Sequence, residues 1–269
     1  MKFKIILLTF TILYSLQTNA HKRWFLPNEF SVSEKQWISI DASLSNNIFY
    51  ADRPWTLDGI QVIHPNLRAS TISNPQYGKR KNTFEVYLED TGTTKVASIS
   101  NIYFAQFEYS VQMNEVKRIR SFDYNELISQ IPENAKNIKL SKSISRLETY
   151  LTLGAPSSAV FKATGSGLEL LPITHPNDVY ENEAAQFKFL VDGKPQKNIK
   201  VSLVWEGTRY RNDESEITFI TNEQGIVTFT PDKPGAYLLE ASYKGKSPDT
   251  DKFENLHMSY MATLEVLPQ

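Results

Sequence analysis

The chain has 269 residues, no cysteine and a formal net charge of −1, with 29 Lys+Arg against 30 Asp+Glu. Without thiols there is neither a disulfide framework nor thiolate catalysis. Without a basic block interleaved with aromatics there is no electrostatic footprint for nucleic acid. The length fits two domains of ordinary size, whose stability has to come from buried apolar surface.

The first twenty residues have the layout of a secretory signal, with Lys2 and Lys4 ahead of an apolar run from Ile5 to Leu16 and a small-residue exit at Thr18-Asn19-Ala20. That run is shorter than the roughly 20 residues a membrane helix needs. Cleavage after Ala20 is therefore expected, which makes His21 the first residue of a periplasmic protein with no membrane span in its mature part.

From Phe30 onward, period-two alternation dominates. Ile38, Ile40, Ala42 and Leu44 fall on one face and Ser39, Asp41, Ser43 and Ser45 on the other, as in a half-buried strand. Further strands are predicted at Phe84-Val86-Leu88, Val96 to Ile99 and Tyr103 to Tyr109, separated by punctuation such as Asp90-Thr91-Gly92. Leu127, Ile128 and Ile131 recur at helical spacing behind Ser121 or Asp123 as cap, predicting a short helix that ends near Pro132. A strand returns at Arg146 to Leu153.

Turn formers concentrate at Gly154-Ala155-Pro156-Ser157-Ser158 and Thr164-Gly165-Ser166-Gly167, and the domain boundary is placed there. Residues 21–165 form an N-terminal β-sandwich and residues 166–269 a second one. The latter reads as Leu168 to Leu171, Gln186 to Val191, Ile199 to Trp205, Glu216 to Thr221, Ile226 to Thr230, Tyr237 to Tyr243 and Tyr260 to Leu267. This strand count and size suit an immunoglobulin-like or fibronectin-like sandwich. The fold class is thus all-β, with one short helix in the first domain.

Several segments of the second half resemble the domain of unknown function 4198 family. They are Leu168 to Pro176, Phe189-Leu190-Val191-Asp192-Gly193-Lys194-Pro195, Thr221-Asn222-Glu223-Gln224-Gly225 and Pro234 to Leu239. The opening Ala20-His21-Lys22-Arg23-Trp24-Phe25-Leu26-Pro27 is similar to the family's start, where a histidine follows the cleavage site, and Tyr260 to Leu264 to its close. The resemblance is weak from Phe49 to Leu140, and His175 and Asn222 stand where acidic residues are usual. It implies an exported protein for nickel or cobalt uptake, with a membrane transporter or an outer-membrane receptor as partner.

Once Ala20 is removed, His21 offers a free α-amine and an imidazole nitrogen on one residue, a chelate suited to metals that prefer nitrogen ligands. The competing reading is a frayed, functionless terminus. Further ligands are sought at His257, in a loop before the last strand beside Met258, Asp249, Asp251 and Glu254, and at His64, which precedes Pro65 at a strand end. For both, a histidine without ligand role is the bland alternative. His175, also before a proline, is placed in the turn that starts the second domain.

Of the tryptophans, Trp37 and Trp205 are assigned to the core, whereas Trp55 is placed in a loop open to solvent and to a sugar ring. Glu181, Glu183 and the other loop carboxylates are read as solvated surface. No Gly-Xaa-Ser-Xaa-Gly elbow, phosphate loop or zinc-protease helix occurs. The sequence therefore predicts a non-enzymatic nickel- or cobalt-handling protein. Its alternatives are a copper monooxygenase built on a histidine brace and a non-catalytic structural or adhesive sandwich.

Overall fold

A computed structural model describes residues 21–109, 115–246 and 252–269. The expected signal segment and the carboxylates Asp249 and Asp251 lie outside the described residues. The first half contains β1 (Lys22–Pro27), β2 (Ser31–Val32), β3 (Gln36–Ser45), β4 (Arg53–Pro54), β5 (Gln61–Ile63), β6 (Ala69–Ser70), β7 (Ser73–Tyr77), β8 (Asn82–Leu88) and β9 (Gly92–Glu108). It continues with β10 (Val116–Ser121), α1 (Tyr124–Ser129) and β11 (Lys136–Leu153). The second half contains β12 (Leu168–Pro172), β13 (Val179–Tyr180), β14 (Ala185–Val191), β15 (Lys194–Pro195), β16 (Lys200–Trp205), β17 (Ile217–Ile220), β18 (Ile226–Phe229), β19 (Gly235–Gly245) and β20 (Asn255–Leu267). The architecture is all-β, and α1 is the one α-helix among the described residues.

The strands assemble into a 5-stranded sheet of order β1-β3-β8-β7 with β4, an 11-stranded sheet of order β17-β16-β19-β20-β11-β9-β5-β6 with short additions, and a 4-stranded sheet of β12, β14, β15 and β18. The large sheet runs through both halves because β11 pairs in parallel with β20, from Ser141↔Asn255 to Thr149↔Thr263. Its side chains alternate between two cores, as the period of the strand demands.

Along β20, Leu256, Met258, Tyr260, Ala262 and Leu264 join the core shared with Phe187 and Phe189 of β14, while Met261 points the other way, into the core of Phe25, Ile38, Ile40 and Phe84. Each smaller sheet thus covers one face of the large one, giving two sandwiches with a common wall.

Several predicted strands are longer than their sequence signal. The stretches at Val96 to Ile99 and Tyr103 to Tyr109 are one 17-residue strand, β9, and Arg146 to Leu153 is only the end of the 18-residue β11. The outer ends of β9 and β11, with β10 and α1, enclose a small separate core of Ala105, Phe107 and Leu127. The helix begins where its cap predicts, since Asp123 accepts a hydrogen bond from the Glu126 amide at 2.8 Å. It ends at Ser129, before Pro132. The hairpin loop of residues 222–225 closes on Gly225 at φ 75°, where a Cβ would lie 2.6 Å from the Phe189 carbonyl oxygen.

Candidate functional site

Strand β1 crosses the face of the large sheet that is turned away from the β14 core. Trp24 packs with Val204 and Leu238, and Leu238 stands opposite Thr263 of β20. Lys22 lies near Glu240, which stands opposite Met261, and pairs with Glu214 and Glu216. Arg23 reaches Ser259 Oγ at 3.5 Å. Toward its N-terminal end β1 therefore advances along β20 from the Thr263 row toward the Ser259 row, with the His257 row next. His21 is exposed, one residue before β1, and the strand's alternation assigns it to the side of Arg23 and Phe25.

The rows of the sheet fix what His257 meets. Ile102 of β9, Ser143 of β11, His257 of β20 and Lys244 of β19 stand abreast. The next row brings Phe104, Ser141 and Asn255 together. Paired residues share a face, so Phe104, Ser141, Ser143, Asn255, His257 and Lys244 line one side of a single curved surface. There they border a cavity of about 520 Å³ whose lining also includes Lys246, one residue past β19. His257 Nδ1 is 3.5 Å from Ser143 Oγ.

Electrostatics at this surface are dominated by positive charge. Burial, then the ammonium of Lys244 and the guanidinium of Arg23, lowers the His257 pKa below the ordinary imidazole value, so the ring is neutral at pH 7 with a lone pair free. Burial likewise lowers Arg23, opposed by Glu240. Glu240 is raised by burial, with Lys22 and Arg23 pulling it back. The Arg23 guanidinium also stands 4.9 Å from the Trp55 ring centroid, a cation–π contact that holds it against the sheet.

The other predicted ligands do not converge here. His257 itself is inside β20 and not in a loop: Asn255, His257 and Ser259 alternate with Leu256, Met258 and Tyr260 in strand period. His64 follows Ile63, whose row on β11 is Tyr150, seven residues or about 23 Å of strand from Ser143. It is 4% exposed, its Nε2 is 2.8 Å from Ser70 Oγ, and its buried Nδ1 has no partner.

His175 is fully engaged in structure. Its Nδ1 accepts from the Asn177 amide at 3.0 Å, and its Nε2 lies 2.9 Å from Thr93 Oγ1 and 3.3 Å from the Ser157 carbonyl. Among the described residues, no cluster of three or more His, Cys, Asp or Glu side chains is gathered for a metal.

The tryptophans also depart from expectation. Trp37 is 48% exposed and packs on Tyr87 with ring centroids 5.1 Å apart, because it shares the outer face of β3 with Ser39 and Asp41. Trp55 is half-buried beneath Arg23. Trp205 is half-buried, donates to the Pro234 carbonyl at 3.0 Å and lies between Arg211 and Lys233. Sequence reasoning missed Arg23, Lys244, Lys246 and Ser143, which come from β1, β11 and the end of β19, three places far apart in the chain. A charged Arg23 among alternating β1 residues was the one local clue.

The family model for the domain of unknown function DUF4198 matches residues 18–245. The chain belongs to the DUF4198 family. No curated protein matches it. Among solved structures, the D0-D1 domain of intimin aligns over 90% of this DUF4198 chain and 97% of its own, at 12% identity and TM-score 0.23. The adhesin InvE of Yersinia pseudotuberculosis aligns over 88% and 58%, at 12% identity and TM-score 0.20. Escherichia coli alpha-2-macroglobulin activated by porcine elastase aligns over 90% and 31%, at 11% identity and TM-score 0.20. None of these likenesses bears on function. No helix among the described residues is long and apolar enough to cross a membrane.

Proposed function

We propose that this DUF4198 protein is a non-enzymatic, exported metal-capture protein, in which His21 and His257 hold a late first-row divalent metal for handover to a membrane transporter or outer-membrane receptor. The single observation that carries the reading is the course of β1, which leads His21 toward the row of the sheet that contains His257. The donor set would be the α-amine and imidazole of His21 and the neutral imidazole of His257. All three donors are nitrogen, which suits nickel, cobalt or copper and not a hard, oxygen-seeking cation. Arg23 and Lys244 repel a bare dication, so the charge of the site works against the metal while its neutral imidazole works for it.

The test is calorimetric titration with Ni²⁺, Co²⁺ and Cu²⁺ of mature protein beginning at His21, beside protein with one added N-terminal glycine and the variant His257→Ala. Loss of either ligand is expected to weaken binding by about 100-fold, or about 2.7 kcal/mol. Equal affinity in all three proteins would remove the reading. The same three nitrogens are what a copper monooxygenase requires, and ascorbate-driven oxygen consumption confined to the copper-loaded protein would move the assignment to that class.

A further inference from the structure

The cavity beside His257 is built for an anion. Lys244, in β19, and Lys246, just past its end, bring positive charge to the lining, His257 of β20 is a neutral imidazole beside them, and among the described residues the lining includes no carboxylate. Lys142 also borders the cavity but turns its ammonium to the Tyr103 ring on the opposite face of the sheet, 5.6 Å from the centroid. Arg23 adds a further positive charge from β1, its guanidinium 3.5 Å from Ser259 Oγ, two residues along β20 from His257.

The uncharged lining suits the same purpose. Ser141 and Ser143 bring hydroxyl donors, Asn255 an amide, and Phe104 an aromatic face. A volume of about 520 Å³ falls in the range of sites that take small organic molecules. Two ammonium groups beside hydroxyl and amide donors, with the Arg23 guanidinium in the neighbouring row at Ser259, match the oxygens of a carboxylate or phosphate, and the ring of Phe104 matches a carbon body beside them.

We infer that this cavity binds a small organic oxyanion, a carboxylate or phosphate ester, whose charged end lies among Lys244, Lys246 and His257 and whose body rests on Phe104. No metal is needed for this binding. A metal arriving already wrapped in such an anion would have its charge repulsion with Arg23 and Lys244 removed, but the anion site stands or falls on its own.

The test uses the full mature chain, freed of metal with chelator and dialysed, titrated with citrate, benzoate, phenyl phosphate and inorganic phosphate at fixed ionic strength. At least one organic probe is expected to bind below millimolar, and the double substitution Lys244→Gln/Lys246→Gln to weaken it by about tenfold or more. Lys233→Gln, a change remote from the cavity, is expected to leave affinity unaltered.

Binding of inorganic phosphate alone would narrow the ligand to a bare oxyanion and overturn the role of Phe104. No binding by any probe, or equal binding by the wild-type and doubly substituted proteins, would overturn the site. Because no metal is present in any arm, these outcomes are separate from those of the metal titration.

Discussion

His64, His175 and His257 are held in the neutral form by burial, and each has its pKa lowered from 6.5. The sign of the effect on stability follows from proton counting. Between the unfolded value and the lowered folded value, the unfolded chain binds protons that the folded chain refuses, so stability rises with pH and falls as pH drops below about 6.5. Glu240 and Glu265, raised by burial, act in the opposite sense and at lower pH, above about 4.5. Denaturant unfolding at intervals from pH 7.5 to 5.0 is therefore expected to show a steady loss of stability on acidification. Replacing His64 by Gln should flatten the curve, since the amide cannot take a proton. A profile flat to pH 5, or one unchanged in His64→Gln, would show that these rings titrate as they do in the open chain. The same neutrality is what leaves the His257 lone pair available near pH 7.

At the scale of the elements, the helix cap and the strand period carry different amounts of information. Asp123 satisfies the amide of Glu126, and Ser121 Oγ donates to Glu126, so the first turn of α1 is tied from both sides. Asp123→Ala is expected to cost about 1 kcal/mol, read as a shift in denaturant midpoint with an unchanged slope. Asp123→Asn should recover most of it. Caps and alternation are local, and for that reason α1, β3, β8 and the seven main strands of the second half were legible in the sequence.

The strict period of two sets Trp37 and His257 apart from the core and loop positions expected of them. Trp37 lies one residue from Ile38 and so belongs to the polar face of β3, and the polar series Asn255, His257, Ser259 already marks a face of β20 distinct from that of Leu256, Met258 and Tyr260. What no local rule reveals is pairing. The parallel register of Ser143 with His257 joins positions 114 residues apart, and Arg23 enters that face from the far end of the chain. The cavity was invisible because it is made of rows, and rows are set by tertiary packing.

In the whole molecule, the two halves are joined through one continuous sheet and through a buried polar network behind it. Tyr150 and Tyr260 each donate to Glu148 Oε2, at 2.6 and 2.8 Å, and Arg146 lies 3.4 Å from Glu148 Oε1 and 3.7 Å from Glu169 Oε1. Glu169, from β12, also accepts from the Thr164 and Gly165 amides. Burial and the charge of Glu148 push both tyrosines well above their ordinary pKa, so they stay as hydroxyl donors. Removing one charge from such a network strands its partners without solvent, which typically costs 3–5 kcal/mol, roughly the scale expected for Glu148→Ala.

The arrangement also fixes how the chain should unfold. Residues 21–165 alone would strip β11 of its parallel neighbour and expose Tyr150, Val160 and Phe161, which belong to the core of the second half. Residues 166–269 alone would leave the β11 side of β20 as a long unpaired edge. The full chain is therefore expected to melt in one calorimetric transition whose van't Hoff and calorimetric enthalpies agree. Neither fragment is expected to show a cooperative transition by itself. Two resolved transitions, one of them reproduced by the isolated 166–269 fragment, would mean that the shared β11–β20 seam contributes little and that each sandwich is stabilised by its own core.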